Sequence, residues 1–399
     1  MKHSPPPITN RWNRVSQALR RLIDEYHFPG FSVIVHHRGR VIFEDCVGVM
    51  DLETGQPLRG DTIFRMYSNT KPITSAALMM LFEEGKFLLD DPVAKFIPSF
   101  QEMRVVGPGN DLSHTVPAEV PITIHHLLTH TSGLAYGLGM GPLEEMARQA
   151  GCFDIPHLVL TQPLEKIAEI FSSLPLAFQP GAAYSYSIAY DLVGHLVSLI
   201  SGQPFQEYLQ ERFFKPLGMA DTGFWVPPEK LDRLVSLYTI NAERQHVRVE
   251  AAQGSVFARP DAVPSGGGGL VSTRADYLRF ARMFLNGGEL DGVRLLNPRT
   301  VSLMASNQLT QAQMAPLTPM SLDNPGCGYG LGGLVILDRA QAGTLASNGT
   351  FGWGGAAGTG TFIDPQENLA AVLMTQTFDS PLLPIPRDLF QQLVYQALD

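Results

Sequence analysis

The sequence predicts an α/β (α+β) fold, in which an antiparallel sheet flanked by helices carries an inserted, mainly helical domain. Two observations predict it: strand patterns are concentrated towards the two ends of the chain, and helices with long proline- and glycine-rich connections fill the middle. A length of 399 residues accommodates one large domain or two interleaved ones. We therefore expect a discontinuous α/β domain, residues 1–85 and 265–399, and an inserted helical domain, residues 86–264.

The N-terminal part predicts a helix, a hairpin and a second helix. The first helix is predicted because apolar residues recur at helical spacing (Trp12, Val15, Leu19, Leu22 and Ile23). Two β-rich runs on either side of Arg38-Gly39 predict the hairpin. The second helix begins near Ser68, contains Met79 and Met80 as core residues, and ends near Gly85.

Helical patterns dominate between Lys86 and Pro264, including a helix that we expect Thr161 to cap, with Pro163 in its first turn. A glycine run, Gly266 to Gly269, ends this block. A helix and three strand-like runs follow, before a last helix closes the chain (GLGGLVILD, GTGTFIDP and NLAAVLMTQT, then RDLFQQLVYQAL). These strands would join the N-terminal hairpin in one sheet.

The composition excludes several classes of protein. The net charge of −9 argues against nucleic acid or an anionic membrane surface as a partner. No apolar segment has the length of a signal peptide at the N-terminus or of a membrane span elsewhere, so we expect a cytoplasmic location. The three cysteines are far apart, which excludes a complete disulfide framework and a cysteine-based zinc site. Nothing in the sequence indicates an oligomeric state.

The segment FRMYSNTKP contains the only S-x-x-K of the chain, Ser68 and Lys71. Residues three apart on a helix are neighbours, so the hydroxyl and the amine can touch. A serine becomes a good nucleophile when a base takes its proton, and both burial and a helix start favour the neutral amine that can do so. Pro72 lacks an N–H, which predicts an irregular first turn. The alternative is an N-cap serine beside an exposed lysine.

Three competing sites find little support. No G-x-S-x-G occurs, so the nucleophile elbow of common esterases is not indicated. His126 and His130 have the spacing of a zinc helix but lack the glutamate of H-E-x-x-H, and we interpret them as histidines at a helix end. GYGLGG leads into a strand rather than a helix, which argues against a dinucleotide site. We expect neither a metal nor an organic cofactor.

Four segments taken in order carry a family resemblance: FRMYSNTKP, LLTHTSGLAYG, PLGMADTGF and FGWGGAAGT. Together they resemble the serine β-lactamase and penicillin-binding-protein superfamily of class C type, and most closely its family VIII carboxylesterases. The resemblance extends from about Pro29 to Gln376. It implies a β-lactamase-like fold and a serine hydrolase that acts on small-molecule esters.

The resemblance assigns roles to individual residues. Ser68 matches the acylated serine, Lys71 its helical lysine partner, and Tyr186 the tyrosine of the Y-x-N motif. Trp353-Gly354-Gly355 matches the third motif, which is K-T-G in β-lactamases and W-G-G in family VIII esterases. The implied oxyanion hole is the backbone N–H of Ser68 and of Ala356. Lys71 and Tyr186 would titrate as a coupled pair, so the proton acceptor stays open between them.

Two departures from the family pattern favour esters. Ile188 replaces the asparagine of Y-x-N, and Trp353 replaces the lysine that holds a substrate carboxylate. Losing both should weaken recognition of penicillin-like substrates. We therefore expect a carboxylesterase for short- to medium-chain acyl groups. A β-lactamase, a D-amino-acid peptidase, an acyltransferase and an inactive binding protein of this fold are the alternatives.

Other side chains near these motifs have open roles. Trp353 is expected either as a wall of the substrate pocket or as core filling. Gly354 and Gly355 would let the substrate approach the strand closely. Tyr136 would line the acyl pocket or lie at the surface, and Asp191 would orient Tyr186 through a hydrogen bond.

Overall fold

The fold consists of a large sheet, several small hairpins and helices on both faces of the sheet. A computed structural model describes residues 9–107, 111–315, 320–322 and 324–398. The strands are β1 (Gly30–His37), β2 (Arg40–Gly48), β3 (Phe64–Arg65), β4 (Arg104–Gly107), β5 (Asp111–Pro117), β6 (Phe153–Asp154), β7 (Val159–Leu160), β8 (Leu237–Ile240), β9 (His246–Glu250), β10 (Val271–Ser272), β11 (Glu289–Leu290), β12 (Val293–Arg294), β13 (Cys327–Tyr329), β14 (Leu334–Ile336), β15 (Phe351–Gly354), β16 (Gly360–Asp364) and β17 (Leu369–Met374). The helices are α1 (Thr9–Tyr26), α2 (Thr70–Glu83), α3 (Ile124–Leu128), α4 (Pro142–Gln149), α5 (Leu164–Ser173), α6 (Ala189–Ser201), α7 (Phe205–Leu209), α8 (Lys215–Leu217), α9 (Arg274–Leu285), α10 (Pro298–Met304), α11 (Arg339–Ala342) and α12 (Pro386–Ala397).

Both ends of the chain build the large sheet. Its seven strands follow the order β13-β14-β15-β16-β17-β1-β2, and every neighbouring pair is antiparallel. Strand β1 pairs with β17, with Ser32 opposite Met374. The fold class expected from the sequence is thus confirmed. The proposed domain limits at residues 85 and 265 stay a prediction.

The hairpin of β1 and β2 turns at the two residues predicted for it. Arg38 and Gly39 have φ of 48° and 85°, the left-handed conformation that a two-residue hairpin turn requires. β1 is buried along nearly its whole length, whereas β2 forms the partly exposed edge of the sheet. The charged residues of β2, such as Glu44 and Asp45, suit an edge strand because they oppose pairing with another chain.

Helices cover the two faces of the sheet. On one face α1 packs against α12 through side chains at helical spacing, among them Val15, Leu19, Phe390 and Val394. On the other face α9 packs on β1, β16 and β17. α9 begins at Arg274 because Thr273 caps it, its side chain accepting from the backbone N–H of Asp276.

Helix α2 is the centre of the main core. Nearly all of its side chains are buried, including Met79 and Met80 as expected, and it packs against α6. The irregular turn predicted before it is present as a 3₁₀ turn, Tyr67–Asn69. The helix ends at Glu83, just before Gly85, whose φ is 70°.

The middle block is mainly helical but also contains three short hairpins that the sequence did not indicate: β4–β5, β6–β7 and β8–β9. The expected cap of α5 is wrong. The helix begins at Leu164, Pro163 precedes it, and the Thr161 hydroxyl donates instead to the carbonyl of Gly151 at 2.9 Å. Within the described residues, no helix is both long enough and apolar enough to cross a membrane.

Candidate active site

Ser68 lies in the 3₁₀ turn between β3 and α2, in a strained stretch of backbone. The preceding residue, Tyr67, has a φ of 45°, which is unusual for a side chain other than glycine. Its ring is buried, and its hydroxyl donates to the carbonyl of His157 at 3.0 Å. These contacts hold Tyr67 in its unfavourable conformation and so fix the position of Ser68 at the start of the helix.

Lys71 is a fully buried cationic side chain one turn after Ser68. Its Nζ donates to Ser68 Oγ at 3.3 Å and to the carbonyl oxygen of Gly267 at 2.7 Å. Although Pro72 follows it, Lys71 has helical backbone geometry within α2. The expected contact between hydroxyl and amine is therefore present, and the alternative of an exposed lysine is wrong.

Aromatic rings surround the amine. The distances from Lys71 Nζ to the ring centroids are 4.5 Å for Tyr186, 5.8 Å for Tyr136 and 5.9 Å for Tyr190. Ring faces at this range attract a cation. The environment of Nζ thus consists of a carbonyl, a hydroxyl and three aromatic rings.

Tyr186 reaches the same serine from the loop before α6. Its hydroxyl lies 2.7 Å from Ser68 Oγ, closer than the amine of Lys71. Its ring packs against the rings of His130, Tyr136 and Trp353, with centroid distances of 4.5, 5.4 and 5.7 Å. The structure therefore brings Ser68, Lys71 and Tyr186 together as the sequence predicts.

His130 is a buried imidazole behind Tyr186. Burial, together with the nearby charge of Lys71, lowers the pKa of His130 well below 6.5, so the ring is neutral at physiological pH. The backbone N–H of Ser187 donates to His130 Nδ1 at 3.2 Å, which places the ring proton on Nε2. His130 has a φ of 55° just after α3, in agreement with a histidine at a helix end. The described residues contain no cluster of histidine, cysteine and carboxylate side chains suited to a metal ion.

The turn after β15 packs directly on the Ser68 turn. Asn69 Nδ2 donates to Thr359 Oγ1 at 2.9 Å, and Thr359 Oγ1 donates to the carbonyl of Met66 at 3.3 Å. A Cβ on Gly355 would lie 2.3 Å from the same carbonyl, so glycine is required there for the close approach. Ala356 follows Gly355 in this turn, where the turn contacts the Ser68 turn. Among the described residues, no acceptor bonds the backbone N–H of Ser68 or of Ala356, which agrees with the expected oxyanion hole and leaves it a prediction.

An ion pair that the sequence did not indicate lies beside Ala356. The backbone N–H of Asp379 donates to the carbonyl of Ala356 at 2.9 Å, and the carboxylate of Asp379 pairs with Arg387 at 2.9 Å. The side chain of Arg387 crosses Gly354 and Gly360, which face each other in β15 and β16; a Cβ on either would lie within about 3 Å of it. A Cβ on Gly354 would thus crowd the Arg387 side chain, and the expected role of Gly354 in admitting substrate stays a prediction.

One cleft connects these groups. It has a volume of about 1030 Å³ and extends from Ser68 across the end of β15 to α11 and α12. Of the predicted site residues, Ser68, Tyr186, Trp353, Gly354, Gly355 and Ala356 line it. Trp353 is therefore a wall of the cleft, and it also packs on Tyr329 with a centroid distance of 5.2 Å.

Two predicted residues take other positions. Tyr136 lies behind Tyr186 and Lys71 rather than in the cleft wall, and it is almost fully buried rather than at the surface. Asp191 does not bond to Tyr186; its carboxylate accepts from the hydroxyl of Ser265 and the N–H of Gly267. The expectation for Asp191 is wrong, because the first turn of α6 directs its side chain towards the glycine run.

Comparison with known proteins agrees with this geometry. Residues 15–395 match the Beta-lactamase family. The chain belongs to that family. Proteins similar to this chain include Protein Rv1367c of Mycobacterium tuberculosis, 35% identical over 90% of this chain and 88% of the relative, and Esterase EstB of Burkholderia gladioli, 33% identical with the same coverage.

A similar solved structure is that of EstCE1, described as a hydrolase with promiscuous acyltransferase activity. It superposes with a TM-score of 0.81 at 28% sequence identity, and the match covers 98% of both chains. The shared fold over the whole length means that the site of this chain lies in the same architecture as the site of a hydrolase.

Proposed function

We propose that the protein is a serine carboxylesterase that hydrolyses short- to medium-chain acyl esters through an acyl-enzyme on Ser68. The observation that carries the proposal is the position of Ser68 Oγ, 2.7 Å from the Tyr186 hydroxyl and 3.3 Å from the Lys71 amine. A nucleophile within hydrogen-bond reach of a base is the arrangement that covalent catalysis requires.

The reaction proceeds in two steps. Ser68 Oγ attacks the ester carbonyl while its proton passes to the base system of Lys71 and Tyr186, and the N–H groups of Ser68 and Ala356 stabilise the oxyanion by about 3 kcal/mol per donor. The alcohol leaves after it takes up that proton. Water then attacks the acyl-enzyme. Its proton passes to the same base system and on to Ser68 Oγ, and the acid is released.

Esters are favoured over lactams by the two substitutions noted in the sequence. The third position of the Y-x-N motif is occupied by Ile188, a fully buried side chain that has no amide to offer a substrate. Trp353 stands where the lysine of K-T-G would hold a carboxylate. The relatives EstB and EstCE1, named as an esterase and a hydrolase, support the same choice.

The test is the intact mass of the protein after brief incubation with p-nitrophenyl esters of increasing chain length. We expect acetyl to hexanoyl adducts on the unaltered protein and none on Ser68→Ala. Uptake of long chains alone would contradict the proposed acyl range, and adducts on both proteins would exclude Ser68 as the nucleophile. Faster turnover of nitrocefin than of p-nitrophenyl butyrate, compared by kcat/KM, would favour a β-lactamase.

Acyl transfer is the second candidate, because EstCE1 combines both reactions on the same fold. Transfer differs from hydrolysis only in the acceptor that attacks the acyl-enzyme. Adding an alcohol to the assay and measuring the ester formed distinguishes the two: hydrolysis alone gives the free acid, and transfer gives the new ester in proportion to the alcohol.

A further inference from the structure

Tyr186 lies in an irregular segment of the chain, and a single residue from another segment holds it there. Residues 183–187 have no regular secondary structure, so contacts with other parts of the fold must set the position of the Tyr186 ring. His130, two residues after the end of α3, contacts Ser185, Tyr186 and Ser187 in turn. The sequence indicated only a helix end for His130, and the proposed reaction gives it no role.

Hydrogen bonds from His130 fix the backbone on both sides of Tyr186. The N–H of Ser185 donates to the carbonyl of His130 at 2.9 Å. The N–H of Ser187 donates to His130 Nδ1 at 3.2 Å, and the Ser187 hydroxyl lies 3.2 Å from the same nitrogen. Nε2 has no hydrogen-bond partner among the residues that the structure describes, so the imidazole directs all its polar contacts to Ser187.

The face of the same imidazole supports the Tyr186 ring. The two ring centroids are 4.5 Å apart, and the ring planes are inclined by 44°. At the far end of the Tyr186 ring, the hydroxyl lies 2.7 Å from Ser68 Oγ. A small displacement of the segment or a small rotation of the ring would lengthen this distance.

His130 is itself held firmly at the end of α3. Its φ of 55° lies in the left-handed region, which histidine adopts more readily than most residues. The hydroxyl of Tyr190 donates to the carbonyl of Leu128 at 2.6 Å and so connects the end of α3 to α6, the helix that follows Tyr186. His130 is 0% exposed and is not part of the cleft wall, so it cannot contact a substrate.

The bond from Ser187 requires an imidazole that has no proton on Nδ1. Burial lowers the pKa of His130 well below 6.5, which keeps the ring neutral and leaves Nδ1 free to accept. Ser187 is also buried, so an apolar residue at position 130 would leave its N–H without an acceptor in the interior. The loss would fall on the residue next to Tyr186.

We propose that His130 is a positioning residue for Tyr186: it holds residues 185–187 and the Tyr186 ring so that the hydroxyl reaches Ser68 Oγ. It takes no part in proton transfer. This role is the same whichever of Lys71 and Tyr186 takes the proton of Ser68. The inference deepens the proposed function and rests on it.

The test compares His130→Leu with His130→Asn, two side chains of similar size. Leucine removes the acceptor, and kcat/KM for p-nitrophenyl butyrate should fall by about 10²-fold, the loss expected when a reacting group moves by about 1 Å. Asparagine offers an oxygen in place of Nδ1 and tolerates a positive φ, so its rate should be about tenfold higher than that of the leucine variant. A loss below about threefold in His130→Leu, or equal rates in the two variants, overturns the inference.

A double-mutant cycle with Tyr186→Phe distinguishes positioning from general damage to the fold. The readout is the rate at which a fluorophosphonate labels Ser68. Once the Tyr186 hydroxyl is absent, His130→Leu should lower this rate by less than about twofold, because there is no hydroxyl left to position. The full loss in both backgrounds would overturn the inference. Absence of labelling in the unaltered protein would instead overturn the proposed function.

His126→Leu is the matched control. His126 lies in the same helix, and its Nδ1 likewise accepts from a backbone N–H, that of Thr123 at 3.3 Å. The residues that it holds contain no group of the site. Its kcat/KM should stay within about twofold of that of the unaltered protein, and a loss equal to that of His130→Leu would overturn the inference.

A measurement on the unaltered protein covers the case in which His130→Leu does not fold. In protein labelled with ¹⁵N at histidine, the signals of His130 are assigned by comparison with His130→Asn. We expect Nδ1 to have the chemical shift of an unprotonated nitrogen that accepts a hydrogen bond, from about pH 6 to pH 8. A proton on Nδ1 would leave the Ser187 N–H without its acceptor and would overturn the inference.

Discussion

Two fully buried basic side chains, Arg65 and Lys71, flank Ser68, and their surroundings differ completely. Arg65, three residues before the serine, donates to Glu250 at 2.7 Å, to the carbonyl of Val235 at 2.6 Å and to Ser255 at 3.1 Å. Lys71, three residues after it, has one carbonyl, the serine hydroxyl and aromatic faces. Its nearest carboxylate, Asp191, reaches it only through Gly267.

The difference in hydrogen-bond partners separates a structural basic residue, Arg65, from a reactive one, Lys71. Each nitrogen of the Arg65 guanidinium has a partner, so the buried pair of Arg65 and Glu250 acts as a rigid support for β3. The amine of Lys71 uses one of its hydrogen bonds on the nucleophile Ser68 and has no direct bond to a carboxylate among the described residues. Incomplete pairing of a buried charge beside a hydroxyl is the signature of the reactive one.

The largest effect is expected from Lys71→Met, which removes the reactive cation and leaves a side chain of similar length. The rate should fall by about 10³-fold, within the range for loss of acid–base assistance, while the melting temperature does not fall, because an apolar side chain suits the buried position. Ester turnover and thermal unfolding measure the two quantities. Retention of more than a tenth of the activity would contradict a reactive Lys71.

Arg65→Met should show the opposite pattern. Glu250 would be left buried without its partner, which costs about 3–5 kcal/mol of stability, whereas the rate per folded molecule should change far less than in Lys71→Met. Urea unfolding measures the loss. The double variant Arg65→Met with Glu250→Gln should recover part of it; no recovery would mean that the arginine stabilises by packing alone.

A smaller effect is expected from the cation beside Ala356. Arg387→Gln should lower the ratio of kcat/KM for 4-acetoxybenzoate over its neutral methyl ester by about tenfold, since a bond to a charged group is worth about 1.5 kcal/mol. Asp379→Asn should raise the ratio, because it removes the competing carboxylate. Arg339→Gln, a second arginine of the same cleft, is the control; an equal effect of both arginine variants would mean that only the overall charge of the cleft matters.

The smallest effect concerns stability and pH. Burial, together with His125, lowers the pKa of His126 to about 4, and its Nδ1 accepts from the N–H of Thr123. The imidazole of His126 therefore binds a proton more readily in the unfolded state than in the folded state. Its contribution to the free energy of unfolding is fully present above about pH 6.5 and is lost as the pH falls towards 4. We expect a loss of about 1 kcal/mol between pH 7 and pH 5, reduced by partial solvent exposure of the ring. The urea midpoint of His126→Gln should depend less on pH than that of the unaltered protein over this range.

Sequence motifs predicted those residues of the site that lie close together along the chain. Ser68 and Lys71 are one helical turn apart, so their spacing made them candidates. The family resemblance then assigned their roles and that of the glycine-rich end of β15. The β1–β2 hairpin was predictable for the same reason, because Arg38-Gly39 lies between two apolar runs. Fold class and the residues around Ser68 were therefore accessible from sequence and family resemblance.

Contacts between distant segments were not predictable. Arg387 reaches Gly354 from the last helix, and Asp191 reaches Lys71 through a glycine carbonyl; neither has a pattern of its own. The carboxylate of Glu144 accepts from the backbone N–H of Tyr136, Gly137 and Gly139 and so fixes this loop. In the sequence Glu144 looks like any other glutamate of a helix. Strand β5 was missed because its side chains are mostly exposed and show no alternation.

The pairing of β1 with β17 has a consequence for biosynthesis. During translation β1 is made long before its partner strand β17 and before the turn that carries Ala356. Such distant pairings form late, because the chain between them must first be closed into a loop. A nascent chain that does not yet contain β17 therefore holds its serine in an unfinished cleft.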